Sequence, residues 1–354
     1  EVDGSEDKYR QHLTLEDGPR LFNLNFELTP TAEMRHLFDR IDLDMTNMGG
    51  DPFETIRASI EKYGRFSLKY DRLKSTYFYD DTILPVALGD PALSNAGDFH
   101  TFDFDRVRDT VRFNLSLGRN AQLDFDFDRF TRTGHSTTTF DIERDEFEFD
   151  KPIDETMSEY RLALQYAWPR VTLIFEGRLR EYENAVEIFL PGLSQGEDPE
   201  DATILGSYFL DQPYDLRAFT PSVRVVARPT DRLNVNLYAS VEDLTMDLEL
   251  SEHALGTTWE GVPYESFAEG EGEVDRKVQM YDLDLSYQIV DWFGLVAGAR
   301  EQKLEQDGAM VFDEEDGDSS WRIDTTSAYL GVQFDLSSQF TISTGLRSES
   351  RDME

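Results

Sequence analysis

Three aspartates spaced two residues apart, Asp124, Asp126 and Asp128, interleave with Leu123, Phe125 and Phe127. Side chains of a strand point alternately to its two faces, so this spacing stacks three carboxylates in one column and three apolar groups in the other. Such a column is either a wall that attracts cations, as acidic rings do in cation pores, or a solvated strand face. Glu176, Arg178 and Arg180 repeat the spacing with mixed charges, and Asp282 with Asp284 repeats it with two more carboxylates. In Asp313-Glu314-Glu315-Asp316-Gly317-Asp318, the side chains of Asp313, Asp316 and Asp318 are candidate calcium ligands, because Ca²⁺ collects carboxylate oxygens around a turn that glycine permits. The full order of a twelve-residue calcium loop is missing, and a solvated acidic loop is the plainer alternative. Glu269-Gly270-Glu271-Gly272-Glu273 reads as a flexible acidic tip.

Nothing in the sequence asks for catalysis. The five histidines, His12, His36, His100, His135 and His253, form no H-x-x-x-H or H-E-x-x-H pair, and no G-x-S-x-G, Walker or G-x-G-x-x-G motif is present. With 72 acidic residues, paired carboxylates arise by chance. Cysteine is absent, which excludes disulfides, thiolate metal sites, iron–sulfur ligation and C-x-x-C-H haem attachment on this chain. A redox cofactor would therefore belong to a partner. The formal charge of −38 repels nucleic acid and anionic lipid and leaves cations and basic proteins as partners.

The charged columns need strands to carry them. Val111, Phe113, Leu115 and Leu117 alternate with polar residues, Gly118-Arg119-Asn120 turns the chain, and the aspartate ladder returns. Seven such hairpins, hence fourteen strands, follow along the 354 residues, across Thr29-Pro30-Thr31 (to a strand over Leu37–Met45), Tyr63-Gly64, Gly118-Arg119-Asn120, Trp168-Pro169-Arg170, Arg228-Pro229-Thr230-Asp231, Val290-Asp291-Trp292 and Leu336-Ser337-Ser338. The opposite connections, about 78–106, 133–157, 183–217, 251–276 and 306–321, read as long acidic loops. Short turns on one rim and long loops on the other match an antiparallel up-and-down transmembrane β-barrel, with the short rim in the periplasm. No run of 18 apolar residues offers a membrane helix, and a barrel is then the way to satisfy every backbone group in lipid.

Tyr63, Trp168, Trp292 and Phe293 beside the turns suit an aromatic girdle at the membrane interface; Tyr77, Tyr182 and Trp321 lie near strand ends. Asp124, Asp126, Asp128, Glu176, Arg178, Arg180, Asp282 and Asp284 are expected to face the lumen. Residues 1–20 read as an N-terminal periplasmic segment without a basic or apolar leader, and 21–354 as the barrel.

Asp7-Lys8-Tyr9-Arg10-Gln11, leading through Glu16-Asp17-Gly18-Pro19, and the hairpin Lys62-Tyr63-Gly64-Arg65-Phe66-Ser67-Leu68-Lys69-Tyr70-Asp71-Arg72-Leu73 resemble the MtrB/PioB family of outer-membrane barrels. Where that family continues with an Ile-Pro-His-like segment, this chain has Leu73-Lys74-Ser75. The resemblance implies a bacterial outer-membrane sheath in contact with lipid and lipopolysaccharide, enclosing a periplasmic multihaem cytochrome that meets an outer-face cytochrome in extracellular electron transfer. The haem would reside on those partners. Family barrels have over twenty strands, so fourteen suggest an incomplete barrel. A cation-preferring diffusion porin or uptake channel is the first alternative, and a soluble all-β binding protein the second.

Overall fold

A computed structural model describes residues 10–11, 19–49, 53–79, 101–190, 193–195, 202–313, 315–337 and 339–354. The described strands are β1 (Leu21–Leu28), β2 (Arg40–Met48), β3 (Phe53–Lys62), β4 (Phe66–Tyr79), β5 (Phe102–Ser116), β6 (Ala121–Ile142), β7 (Asp145–Ala167), β8 (Val171–Asn184), β9 (Glu187–Leu190), β10 (Ser194–Gln195), β11 (Ile204–Asp211), β12 (Tyr214–Thr230), β13 (Leu233–Thr257), β14 (Pro263–Val290), β15 (Phe293–Phe312), β16 (Glu315–Ser337) and β17 (Phe340–Met353). Apart from β9, β10 and β11, they form one antiparallel meander in which each strand pairs with the next, β8 passing directly to β12. The fourteen strands expected from alternation are those of the meander. Among the described residues β1 and β17 pair on one side only, so the sheet is open. Most of the expected N-terminal segment, His12, His100, Glu314 and 80–100 lie outside the described residues.

Two expectations are corrected. In the first hairpin the returning strand begins at Arg40 rather than Leu37, because the carbonyl of Thr31 accepts the amides of Met34 and Arg35 and winds 32–37 into a turn. Asp39 then anchors the turn, accepting from Lys62 at 2.9 Å and from the Tyr63 amide at 2.8 Å. Where they are described, the long acidic connections are mostly strand. β6 and β7 meet at Glu143-Arg144, with Glu143 in the left-handed region at φ 57°, while β13 and β14 meet across 258–262 and β15 and β16 beside Asp313. The Glu-Gly repeat lies inside β14, where Gly270 pairs with Leu250 and Phe312, and Gly272 with Leu248 and Met310. Each glycine leaves room for large neighbours on one face while Glu269, Glu271 and Glu273 point to the other. Acidic composition resembled a loop, yet the cross-strand ladder satisfies the backbone whatever the side chains are.

Beyond the short-turn rim the wall rises far. β14 has 28 residues, roughly 90 Å of strand at about 3.3 Å per residue. Near its far end the face that is polar below becomes apolar. Ile142, Phe147 and Phe149 of the β6–β7 tip pack face to face with Val186, Ile188, Leu205, Tyr208 and Ala254 in the one dry core of the described residues. β9 and β10 flank β11, and β11 pairs with the upper part of β13. This cap is clasped at its tip, where the Arg144 guanidinium lies 4.5 Å from the Trp259 ring centroid. The Tyr208 hydroxyl donates to Glu252 at 2.7 Å, and burial, reinforced by that carboxylate, pushes its pKa well above the ordinary tyrosine value. A raised pKa favours the protonated form, so this stabilisation is complete below about pH 10 and is lost as pH rises further. Hydrogen exchange in 204–210 is expected to accelerate above pH 10, beyond its intrinsic pH dependence, while that of 160–166 does not, and Tyr208→Phe is expected to remove the difference.

Candidate functional site

The candidate site is a wall with two chemically opposed faces. Its register can be followed strand by strand. Phe66 pairs with Leu115, Leu115 with Leu123, Leu123 with Leu164, Leu164 with Phe175, Phe175 with Val223, Val223 with Ala239 and Ala239 with Tyr281. A lower row joins Val235, Leu285, Ala297, Leu330 and Leu346, and Phe26, Leu43 and Ala58 continue the belt on β1, β2 and β3. One face of all fourteen meander strands is thus apolar in register.

That face is the exposed one. Leu162 is 52% exposed, Phe175 53% and Leu330 63%, whereas Ala163 and Ala218, on the polar face, are 1% and 3% exposed. A sheet that shields small and charged residues while presenting leucine and phenylalanine outward curls around its polar face. In water this burial pattern is inverted.

The strands also lean. The row that starts beside the short turn at Phe66 passes through Tyr281 to Glu301 and Thr326, eleven residues short of the end of β16 at Ser337. Nine strand-to-strand steps of about 4.8 Å against eleven residues of about 3.3 Å give a tilt of roughly 40° if the turns share one level, within the range of transmembrane barrels. On β14 the apolar run from the turn at Val290 to Tyr281 measures about 30 Å along the strand, or about 23 Å at that tilt, close to the roughly 25 Å band of such barrels.

Aromatic residues bound the belt on both sides. Tyr63, Trp168, Trp292 and Phe293 all lie at the short-turn rim, with Trp168 against Tyr166 at 4.3 Å and Phe293 against Phe334 at 5.1 Å between centroids. A second row at the opposite edge, Tyr70, Phe127, Tyr160, Phe219 and Tyr281, went unnoticed in the sequence because these residues lie mid-strand. Their signal is that each ends an apolar alternation just before charges begin: beyond them come the pairs Arg72–Asp109 at 3.5 Å, Arg217–Glu181 at 3.7 Å and Lys277–Asp243 at 3.9 Å. Tyr77, Tyr182 and Trp321 have the parity of the polar face and belong to neither row.

The concave face holds all eight residues expected there, and the charges are spent on one another. Asp124 accepts from Asn114 at 2.5 Å and from Gln122 at 2.7 Å. Arg161 donates to Asp126 at 2.6 Å and to Glu176 at 2.8 Å, bridging β6 and β8 across β7. Asp128 is held by Arg108 at 2.9 Å and by the Thr110 hydroxyl. Arg178 lies 3.3 Å from Glu176 and 3.6 Å from Glu159, and Arg180 lies 3.1 Å from Glu159. Farther round, Arg300 meets Asp282 at 2.6 Å, while Asn236 and Tyr329 donate to Asp284 at 3.2 and 2.9 Å. The aspartate ladder is therefore compensated rather than a bare acidic column.

The calcium candidates are not brought together. Asp313, with φ 49°, spends its carboxylate and amide on the backbone of Glu269, while Asp316 and Asp318 are successive same-face positions of β16 paired with Val311 and Ala309. Among the described residues no three His, Asp or Glu side chains gather as a metal site.

No protein-family model and no curated protein matches this sequence. Among solved structures, it is similar to the ferric yersiniabactin uptake receptor FyuA from Yersinia pestis, at 10% identity and a TM-score of 0.45 over 88% of this chain and 59% of that one. The siderophore receptor PiuA from Acinetobacter baumannii gives 7% and 0.44 over 88% and 61%, and the toluene transporter TodX from Pseudomonas putida 9% and 0.28 over 88% and 83%. The chain spans about three fifths of the length of the first two. At these values the case for function is carried by the chain's own geometry.

Proposed function

We propose that this chain is a wall of a bacterial outer-membrane β-barrel, its belt facing lipid, its short turns in the periplasm and its polar concave face lining an aqueous conduit. The single observation that carries this is the apolar belt, continuous in register over fourteen strands on the convex face and bounded by aromatic rows. A soluble sheet would bury that face.

Within this frame the resemblance of Lys62–Leu73 to the MtrB/PioB barrels supports a sheath around a multihaem cytochrome, the haem wholly on the partner and the barrel doing no chemistry. The acid excess of the chain complements a basic protein surface. The second role is a diffusion channel, favoured by the mutual compensation of the concave charges, which leaves a wet polar wall with no bare ring along β6–β8 to select cations.

Purification of the tagged protein from detergent-solubilised outer membrane separates them. A stoichiometric haem absorbance supports the sheath, whereas conductance in planar bilayers without haem supports the channel. Recovery in the soluble fraction would contradict both.

A further inference from the structure

The carboxylate compensation described for β6–β8 does not extend to every cation of the concave face: Lys69 stands opposite Arg112, and above the belt a further pair is opposed. Arg106 of β5 pairs in register with Arg132 of β6, placing two guanidinium groups on directly opposed positions. Like charges so placed repel. Arg132 has one carboxylate partner, Glu155 at 3.4 Å, and its Nε is buried with no hydrogen-bond partner. Arg106 is exposed and makes no ion pair among the described residues; its guanidinium lies 4.8 Å from the Tyr77 ring centroid and 5.3 Å from that of Phe104. Arg132 lies over the other part of the same shelf, 4.3 Å from Phe104.

The shelf is built. Tyr77 and Phe104 stack at 5.3 Å with planes 22° apart, and Phe104 is buried. Opposite Phe104 is Gly134, at φ 147°, where an added Cβ would fall 2.2 Å from the Asp103 carbonyl oxygen and 2.7 Å from the Phe104 Cβ. Only glycine lets the ring lie there. Rings beneath guanidinium groups hold them in place through cation–π attraction and leave their N–H edges for a ligand.

We infer that Arg106 and Arg132, on the Tyr77–Phe104 shelf, form a subsite for a planar aromatic carboxylate. The carboxylate would lie between the two guanidinium forks, which match its geometry and lose their mutual repulsion on binding, and the ring would lie against the half-buried Tyr77 at the edge of the shelf, Phe104 being already covered. The site rests on the aqueous conduit proposed above, since it requires the concave face to be wet.

The test is calorimetric titration of the full chain in detergent micelles with benzoate, and with inorganic phosphate for comparison. Benzoate is expected to bind the unaltered protein and to weaken about tenfold or more in Arg106→Gln, with Arg106→Lys intermediate because it keeps the charge without the fork. Arg112→Gln, six residues along the same strand and same face, should leave binding unchanged. Equal benzoate affinity in Arg106→Gln and the unaltered protein, no benzoate binding at all, or phosphate binding as tightly as benzoate would each overturn the assignment. Reaction of Arg112→Cys with a water-soluble maleimide tests separately whether the face is wet, so failure of the site and failure of the conduit are told apart.

Discussion

Leu162→Arg is expected to cost about 2–4 kcal/mol of stability in the bilayer, the penalty for a cationic side chain facing lipid near the midplane of a barrel. Leu162 lies mid-belt between Phe125 and Gly177 and is 52% exposed. For a soluble protein, arginine at so exposed a position would change stability by no more than about 0.5 kcal/mol, so the size of the effect reports the solvent. Gln165→Arg, three residues on and facing the concave side, should cost no more than about 1 kcal/mol. Urea titration of the two variants folded into vesicles, followed by tryptophan fluorescence, checks the pair. Equal costs would mean that the two faces share one environment.

The second large effect belongs to the cap. Phe147 is 1% exposed within the dry cluster with Leu205, Tyr208 and Ala254, and its truncation to alanine is expected to cost about 3–5 kcal/mol locally through lost burial and the cavity left behind. The β6–β7 tip should then open without the belt, because the belt neither touches this cluster nor depends on water for its stability. Limited proteolysis is expected to cut near Glu143-Arg144 in Phe147→Ala and not in the unaltered chain, with the heat-resistant electrophoretic form of the barrel retained. Loss of both together would show that the cap and the wall fold as one unit.

What the sequence disclosed and what it concealed divide along the range of the contacts. The turn between β7 and β8, Trp168-Pro169-Arg170, was legible to the residue, because period-two alternation and a proline turn are local signals, whereas β7 runs back to Asp145, well before the alternation that marks it at Tyr160. The first hairpin was misjudged by three residues, since Leu37 fits the alternation and only the carbonyl of Thr31, accepting two amides, takes it out of the strand. The acidic tips were read as loops on composition, although Glu269–Glu273 is held between β13 and β15.

The concave face shows the same limit. The position of Asp126 on it followed from parity, but its compensation by Arg161, 35 residues away, depends on the register of β6 against β7. The opposed Arg106 and Arg132 are likewise invisible until the register of β5 against β6 is known. The cap was beyond reach entirely, for Ile142 and Phe147 meet Leu205 and Ala254 only when distant parts of the chain pack face to face.

The central claim is that the convex face meets lipid and the concave face meets water. Because the chain has no cysteine, single substitutions along β7 give clean probes, at Tyr160, Leu162, Leu164 and Tyr166 on one face and Arg161, Ala163 and Gln165 on the other. Each variant would be reconstituted into vesicles and treated with a membrane-impermeant maleimide. Protection at all four even positions with reaction at the odd ones is the predicted outcome, subject to slower labelling at the tightly enclosed position 163. Reaction at 162 and 164 as fast as at 161 and 165 would contradict the account.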